Sequence, residues 1–451
     1  MLALVAGLTA LSTSAYAQGF GIFEQGTCMM GRGGAGVASP CNDGSSIYFN
    51  PAGMVDDGGT ASMTVTGIRP VGNFTNSSTS TVSAMNTNVY PVPAGYLTFP
   101  VTKTITGGIG IYAPYGLTAD WPSNTEGRYV GYYSSIKSIY IQPSYATKIG
   151  KKMSIGVGFA FSRTSLTLQK KVDLSSQILS GTTTFAQIGV PKGTDFADVN
   201  LSGDKVTFGT NIGFLYKASD QFSLGIRYLG KQTVAISNGQ ESITQITTGL
   251  KTPVPLSASI PAGTPIDAIL APKFATGGAL SNQTATTAIP LPMQLVTGVA
   301  ISPNKDTKIL VDLQYTRWSA FDTVTITSQY APTSVLYENY GDTLGVRLGV
   351  EKQMMEGRGV LRFGFDVHNA AAPDQTVTPV LPEGSRQELN VGAGFRLSPK
   401  ARLDVAYMYL HQPDRAGRTQ DSGAAVPTTA LNNGTYSYTG NLFAAGLVVK
   451  F

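Results

Sequence analysis

The closing segment, Gly440 to Phe451, constrains this chain more than any other. Apolar side chains occupy every odd position from Phe443 to the terminal Phe451. Side chains alternate faces with period two along a β-strand, so the segment reads as a strand with one apolar face. The opposite end supplies the compartment. Residues 2–17 are apolar and finish in Ala15-Tyr16-Ala17, the small-x-small pattern of a signal-peptidase site. This leader has no Lys or Arg, so its positive n-region is missing and a start upstream of Met1 would supply it. An exported chain that ends on an amphipathic strand with a terminal aromatic is expected to be a bacterial outer-membrane β-barrel. The strand ending in Phe451 would be the part offered to the barrel-assembly machinery.

The same alternation recurs through the second half. Leu361, Phe363, Phe365 and Val367 oppose Arg362, Gly364, Asp366 and His368. Leu389, Val391, Ala393, Phe395 and Leu397 oppose Glu388, Asn390, Gly392, Gly394 and Arg396. A soluble sandwich would turn the polar face to water and the apolar face to a core; a barrel turns the apolar face to lipid and the polar face to its lumen. Periodicity alone does not separate the two, but composition favours the barrel. Charged residues are 13% of the chain, against about 25% in soluble domains. After the leader no run approaches the roughly 18 apolar residues of a membrane helix, so a membrane-spanning form must be a closed barrel. The net charge of +5 is scattered and does not suggest nucleic acid.

About fourteen strands can be counted between residues 59 and 451, an even number, as bacterial barrels require. Among them, 221–236, 284–301 and 306–328 read as continuous. Short turns alternate with long loops, which assigns the turns to the periplasm and the loops to the outside. Two loops, near 170–203 and 237–283, carry more apolar residues than exposed loops need. In the second, Thr264 reads as a helix cap, Pro265 as the first helical position and Asp267 as an acid near the positive end. Ile266, Ile269, Leu270 and Phe274 then share a helical face. With Ile178 and Leu179 of the first loop they would form a lid, an apolar landing groove, or both.

Residues 18–58 do not alternate. They are rich in Gly, which suits close packing inside a lumen. Their motifs, Gly19-Phe20, Gly31-Arg32-Gly33-Gly34-Ala35-Gly36 and Asn50-Pro51-Ala52-Gly53-Met54, closely resemble the FadL family of outer-membrane channels for hydrophobic compounds, including TodX-type aromatic-hydrocarbon channels. Ala113-Pro114-Tyr115-Gly116 and the stretch from Tyr315 to Asp322 resemble further family elements. The resemblance covers essentially the whole mature chain.

It implies a signal peptide over 1–17, a hatch over 18–58 that plugs the lumen, and a fourteen-stranded transmembrane antiparallel β-barrel over 59–451. Gly31, Arg32, Gly33, Gly36, Asn50, Pro51 and Ala52 would be the hatch motif. Ligand would bind first between the extracellular loops, then in a deeper pocket near Gly19, Phe20 and Phe23. It would leave sideways where strand three kinks inward at Pro114, Tyr115 and Gly116. The residues support that kink independently, since Pro114 cannot donate a ladder hydrogen bond and Gly116 permits a bend. Cys28 and Cys41 are the only cysteines. In the oxidising periplasm they are expected to form a disulfide within the hatch.

Transport would be passive: each CH₂ kept out of water is worth about 0.8 kcal/mol, and no energy coupling is evident. A fatty-acid cargo would need a lumenal cation. Alternation turns Arg227, Arg347, Arg362, Arg396 and Arg402 inward, where Asp312, Glu351, Asp366, Glu388 and Asp404 could instead pair with them. An aromatic hydrocarbon would need no cation. No metal or cofactor is expected, since His368 and His411 are the only histidines and cannot build a His-rich site. Gly31-x-Gly33-x-x-Gly36 fits the dinucleotide pattern but lacks a preceding strand. An outer-membrane lipase or protease is the alternative from another class, but no G-x-S-x-G accompanies the histidines. A general porin is a third reading, weakened by the hatch. The expected partners are hydrophobic cargo, outer-membrane lipid and lipopolysaccharide, with the chain a monomer.

Overall fold

The computed structural model describes residues 19–382, 384–417 and 433–451; the leader lies outside them. Fourteen antiparallel strands run in chain order. They are β1 (Thr60–Asn76), β2 (Tyr90–Pro100), β3 (Ile105–Asp120), β4 (Tyr133–Ile149), β5 (Met153–Asp173), β6 (Asp195–Lys217) and β7 (Phe222–Leu229 and Gln232–Gln245). Then come β8 (Gln283–Leu291 and Gln294–Asn304), β9 (Thr307–Thr316, resuming at Thr323–Ser328), β10 (Thr343–Met354), β11 (Gly359–His368), β12 (Arg386–Ser398), β13 (Ala401–Ala416) and β14 (Gly434–Lys450). β14 pairs with β1 from Thr60↔Lys450 to Asn76↔Gly434, which closes the sheet into a barrel.

Burial is inverted relative to a soluble protein. Phe443 is 60% exposed, whereas Asp404 is 1% exposed. Phe159, Phe208, Leu348, Phe363 and Leu389 face outward in the same way. An apolar belt around a polar, buried inner face is the arrangement a barrel in lipid requires. Among the described residues no helix is long and apolar enough to cross a membrane.

The N-terminal segment lies inside the ring. It contains the short helices α1 (Thr27–Gly31) and α2 (Ser46–Phe49) and a 3₁₀ turn over Pro51–Asp56. Backbone approaches wall closely where neither side has bulk. A Cβ on Gly364 of β11 would come within 2.0 Å of the Gly33 nitrogen, and Gly33 itself has φ +62°.

Three strand spans differ from the sequence reading. The expected continuous strands 221–236, 284–301 and 306–328 are each interrupted, at 230–231, 292–293 and 317–322. The breaks lie side by side, since Leu229 pairs with Gln294 and Gln294 with Thr316. In β7 and β8 the break also switches which residue parity faces inward: Arg227 and Leu229 are buried below it, Gln232 and Val234 above it. The loops are shorter than the expected 170–203 and 237–283, because strands extend into them and leave 174–194 and 246–282. The helix α3 spans Ile266–Phe274 with Pro265, not Thr264, at its cap position. Asp267 lies in the first turn as expected, and its carboxylate accepts from the Thr248 backbone and hydroxyl.

Candidate functional site

The inner segment is tied to the wall around its circumference. Asn50 Oδ1 accepts from Ala52 N at 3.1 Å and so starts the Pro51–Asp56 turn. Its Nδ2 donates to Val37 O at 2.7 Å and to Phe214 O of β6 at 3.0 Å. Arg32 donates to Glu351 of β10 at 2.7 Å and to Ser39 O at 2.9 Å. Asp312 of β9 accepts from Gly36 N and Val37 N at 2.8 and 2.9 Å. Gln142 of β4 donates to Ile47 O, and Ser154 of β5 to Ala52 O. Cys28 and Cys41 are joined by a disulfide with Cα atoms 6.4 Å apart. Gly31, Arg32, Gly33, Gly36, Asn50, Pro51 and Ala52 thus all sit against the wall or hold the fold of the segment.

The β2–β3 ladder is incomplete. It runs from Pro100↔Thr106 to Gly95↔Ile111 and stops. Residues Tyr90–Ala94 of β2 remain paired with β1, and the rest of β3 with β4. β3 bulges at this point. Tyr112 pairs with Tyr140 and Tyr115 with Ser138, so Ala113 and Pro114 stand opposite Ile139 alone. A bulge of this kind bends the strand and increases its twist. The N-terminal segment takes the place of β2 there. Ile22 N donates to Pro114 O and Gly116 N to Phe20 O, both at 2.9 Å. Gln25 closes a pair of hydrogen bonds with the Ala113 backbone at 2.7 and 2.9 Å.

Phe20 is buried in a box of aromatic edges. Its ring centroid lies 4.7 Å from Trp318, 5.6 Å from Phe321 and 6.2 Å from Tyr115. Trp318 and Phe321 come from the break in β9, which bends them inward. Gly19 must be small, since a Cβ there would meet the Trp318 ring at 2.6 Å. Tyr115 donates to Pro292 O in the β8 break at 2.6 Å. Phe321 also lines an apolar cavity of about 140 Å³ with Leu117, Ile136, Leu166, Ile236 and Ile289. Apart from Phe321, these residues sit on β3, β4, β5, β7 and β8, among Ser and Thr side chains that share the cavity wall. The sequence reading passed over them, although Ile136 breaks an otherwise small and polar inward series, Ser134 and Ser138 beside it.

The five expected lumenal arginines separate. Arg362 is buried between Glu351 at 2.9 Å and Asp404 at 2.7 Å, and Arg402 also pairs with Asp404. Arg347 lies 3.7 Å from Asp366 and stacks on the Phe23 ring at 4.2 Å. Arg396 is exposed near the end of β12, where it pairs with Arg402 across the ladder and borders a cavity that also reaches Arg32, Glu351 and Arg362. Arg227 is 2% exposed and forms no ion pair with a carboxylate among the described residues. It donates to Asn211 and Gln294 amide oxygens at 3.1 and 2.9 Å and lies 4.2 Å above the Tyr48 ring, while its Nη2 has no partner.

Glu24 of the inner segment is buried beside Glu388. Loss of hydration, then the Glu388 charge, raises its pKa from 4.5 to about 7, against the opposing pull of Arg386 and Arg347. Arg386 also donates to Gly19 O at 3.1 Å. His368 bonds Asp366 at 2.8 Å.

The loop residues split as well. Ile266 and Leu270 are buried with Leu174, Phe185 and Phe196 in a small core between the two loops, with Leu179 and Phe274 at its edge. Ile269 is half-buried and Ile178 is 59% exposed, outside that core. None of the six expected groove residues lines the apolar cavity.

A sequence profile of the family described as outer membrane protein transport protein (OMPP1/FadL/TodX) matches residues 8–451. The long-chain fatty acid transport protein of Escherichia coli O157:H7 is 23% identical over 427 residues, covering 91% of each chain. The crystal structure of a Pseudomonas aeruginosa FadL homologue superimposes with a TM-score of 0.78 at 20% identity, over 96% of this chain and 100% of that one. The Pseudomonas putida toluene transporter TodX gives 0.68 at 15% identity, over 96% and 100%.

Proposed function

This chain belongs to the OMPP1/FadL/TodX family of outer-membrane transport proteins, and we propose that it carries long-chain fatty acids inward by facilitated diffusion. The cargo enters the apolar cavity from the extracellular side, reaches the Phe20 box, and leaves sideways into the outer leaflet where β2 and β3 part. The observation that carries this reading is the end of the β2–β3 ladder at Gly95↔Ile111, beside the one stretch of β3 whose partner is the N-terminal segment. A cargo passing from cavity to bilayer keeps its methylenes out of water throughout, at about 0.8 kcal/mol each.

Arg227 favours a carboxylate over a plain hydrocarbon. A buried guanidinium without a counter-charge is costly, and a fatty-acid head reaching it would supply one. The relatives named as long-chain fatty acid transport proteins point the same way. A second reading, monoaromatic hydrocarbons, rests on the box of Phe20, Tyr115, Trp318 and Phe321, whose edge-to-face geometry suits a flat ring.

The rest of the machine follows from this reading. The N-terminal segment is the hatch that keeps the pore closed to ions. The extracellular loops sit among lipopolysaccharide, the strand ending in Phe451 engages the assembly machinery, and the barrel works as a monomer. Uptake of labelled oleate and labelled toluene into cells lacking their own transporters decides the cargo. Oleate uptake that falls at least tenfold in Arg227→Gln supports the fatty-acid assignment. Toluene uptake alone, indifferent to Arg227, transfers the assignment to hydrocarbons.

A further inference from the structure

Pro91 and Pro93 stand on β2 just beyond Gly95, the last residue paired with β3. Alternate residues of an antiparallel strand send both backbone groups to opposite neighbours. Val101 N donates to Ile105 O across the β2–β3 turn, so odd-numbered residues of β2 address β3. The pairing of β2 with β1, from Ile68↔Tyr90 to Thr60↔Thr98, has no register shift, so this parity holds back to Tyr90. The next two donors that would continue the ladder to β3 therefore belong to positions 91 and 93, and proline has none. On the β1 side the same two residues give up nothing.

We infer that Pro91 and Pro93 are positioning residues that hold the wall open between β2 and β3. They act in two ways. They remove the two N–H donors through which β2 could zip up against a straightened β3, about half of the hydrogen bonds that ladder would need. They also spare the open edge two unpaired N–H groups, which are expensive at the level of lipid. Met63 and Val65 of β1 are exposed in the apolar belt, and Val65 faces Pro93, which places the edge at that level. The opposite edge is finished by a different device. The groups that β3 frees at Ala113, Pro114 and Gly116 are taken by Gln25, Ile22 and Phe20. Across the gap β2 thus offers carbonyl acceptors but no donor, and the groups freed on β3 are already taken.

The inference rests on the lateral-exit reading, and its test separates the two. P91V/P93V restores both donors on a side chain suited to a strand. In assembled barrels, judged by heat-modifiable electrophoretic mobility, oleate and toluene uptake should fall about tenfold or more, the shift one or two net hydrogen bonds produce in a two-state equilibrium. The two new amides should resist hydrogen exchange. If the double variant does not assemble, P93V alone is read by the same two measurements. Unchanged uptake by an assembled variant, whatever its exchange, overturns the inference. Deleting Ala113 removes the bulge in β3 and tests the exit itself. Full uptake by that deletion defeats the lateral exit and the inference with it. Loss of uptake there with full uptake in P91V/P93V leaves the exit standing and removes the prolines' role.

Discussion

Asn50 gathers three contacts in one side chain: the turn that begins at Pro51, the Val37 carbonyl of the inner segment, and the wall at Phe214. No other residue type offers an acceptor and two donors at that length, which gives the Asn-Pro-Ala element its physical content. Arg32 does comparable work through charge. It shares Glu351 with Arg362, so Arg32→Met would remove a partner from a buried cluster, at a cost of about 3 kcal/mol. The inner segment should loosen, and single-channel conductance of the purified barrel in planar bilayers should rise; wild-type conductance would show that the ion pair does not hold the segment. Glu24 makes the docking of that segment sensitive to pH. Its pKa is raised to about 7 when docked, from an ordinary 4.5. Docking is therefore unaffected below pH 4.5, weakens as pH rises toward 7, and is constant above. The full change is at most about 3 kcal/mol. The groups facing it are Glu388 and Asp366, with Arg347, Arg386 and His368, so Glu24→Gln should flatten the profile and leave the rest of the cluster in place. Amide exchange of residues 19–25 between pH 5 and 8, corrected for intrinsic rates, reads this directly. A slope that survives in Glu24→Gln would assign the effect to Glu388 or Asp366.

At the scale of elements, the loops pose a question that one substitution answers. Leu270 of α3 is buried against Phe196 and Phe185. Leu270→Ala should cost about 2–5 kcal/mol within that small core and raise exchange over 246–282 while the barrel stays intact. If the loops are a lid, uptake holds or increases; if they are the first landing site, the concentration for half-maximal uptake rises severalfold. The strands themselves were legible, because period two survives wherever one face meets lipid: Leu389 to Leu397 and Phe443 to Phe451 are outward to the last residue. The interruptions in β7 and β8 were not. At Gly230-Lys231 and Pro292-Met293 the inward parity switches, yet the sequence on each side still alternates, so a run read straight through looks regular. The cavity was hidden for the same reason. Its apolar side chains, Ile236 and Ile289, lie at inward positions that a continuous strand would have turned outward. The pairing of arginines was beyond sequence as well. Alternation put five on one face, but only strand register decides that Arg362 falls between Glu351 and Asp404 while Arg227 meets two amides and the Tyr48 ring.

For the whole molecule, the decisive quantity is what the barrel passes once the inner segment is gone. The wall carries a nearly complete ring of partners for that segment: Asp312, Glu351, Gln142, Asn211, Ser154 and Ser223 all spend hydrogen bonds on it. Deleting residues 18–49 strips all of these partners except Ala52, which holds Ser154, without touching any strand. Their polar atoms then meet water, which a fourteen-stranded lumen is wide enough to admit, so the barrel should still close through β14 and β1. Ion conductance should rise by at least tenfold, the difference between a filled and a wetted lumen. Selectivity for apolar cargo should fall together with it, because β3 loses its partners Phe20, Ile22 and Gln25 at the place where β2 leaves it. Reducing the Cys28–Cys41 bridge is a milder form of the same change. It frees α1 from the stretch around Cys41 but leaves Asn50 and Arg32 in place, so conductance should lie between wild type and deletion. If the deletion conducts no better than the intact chain, the lumen is sealed by the extracellular loops and the 369–382 segment that covers the cavity. The inner segment would then serve the β3 gap alone, as a substitute strand rather than a stopper.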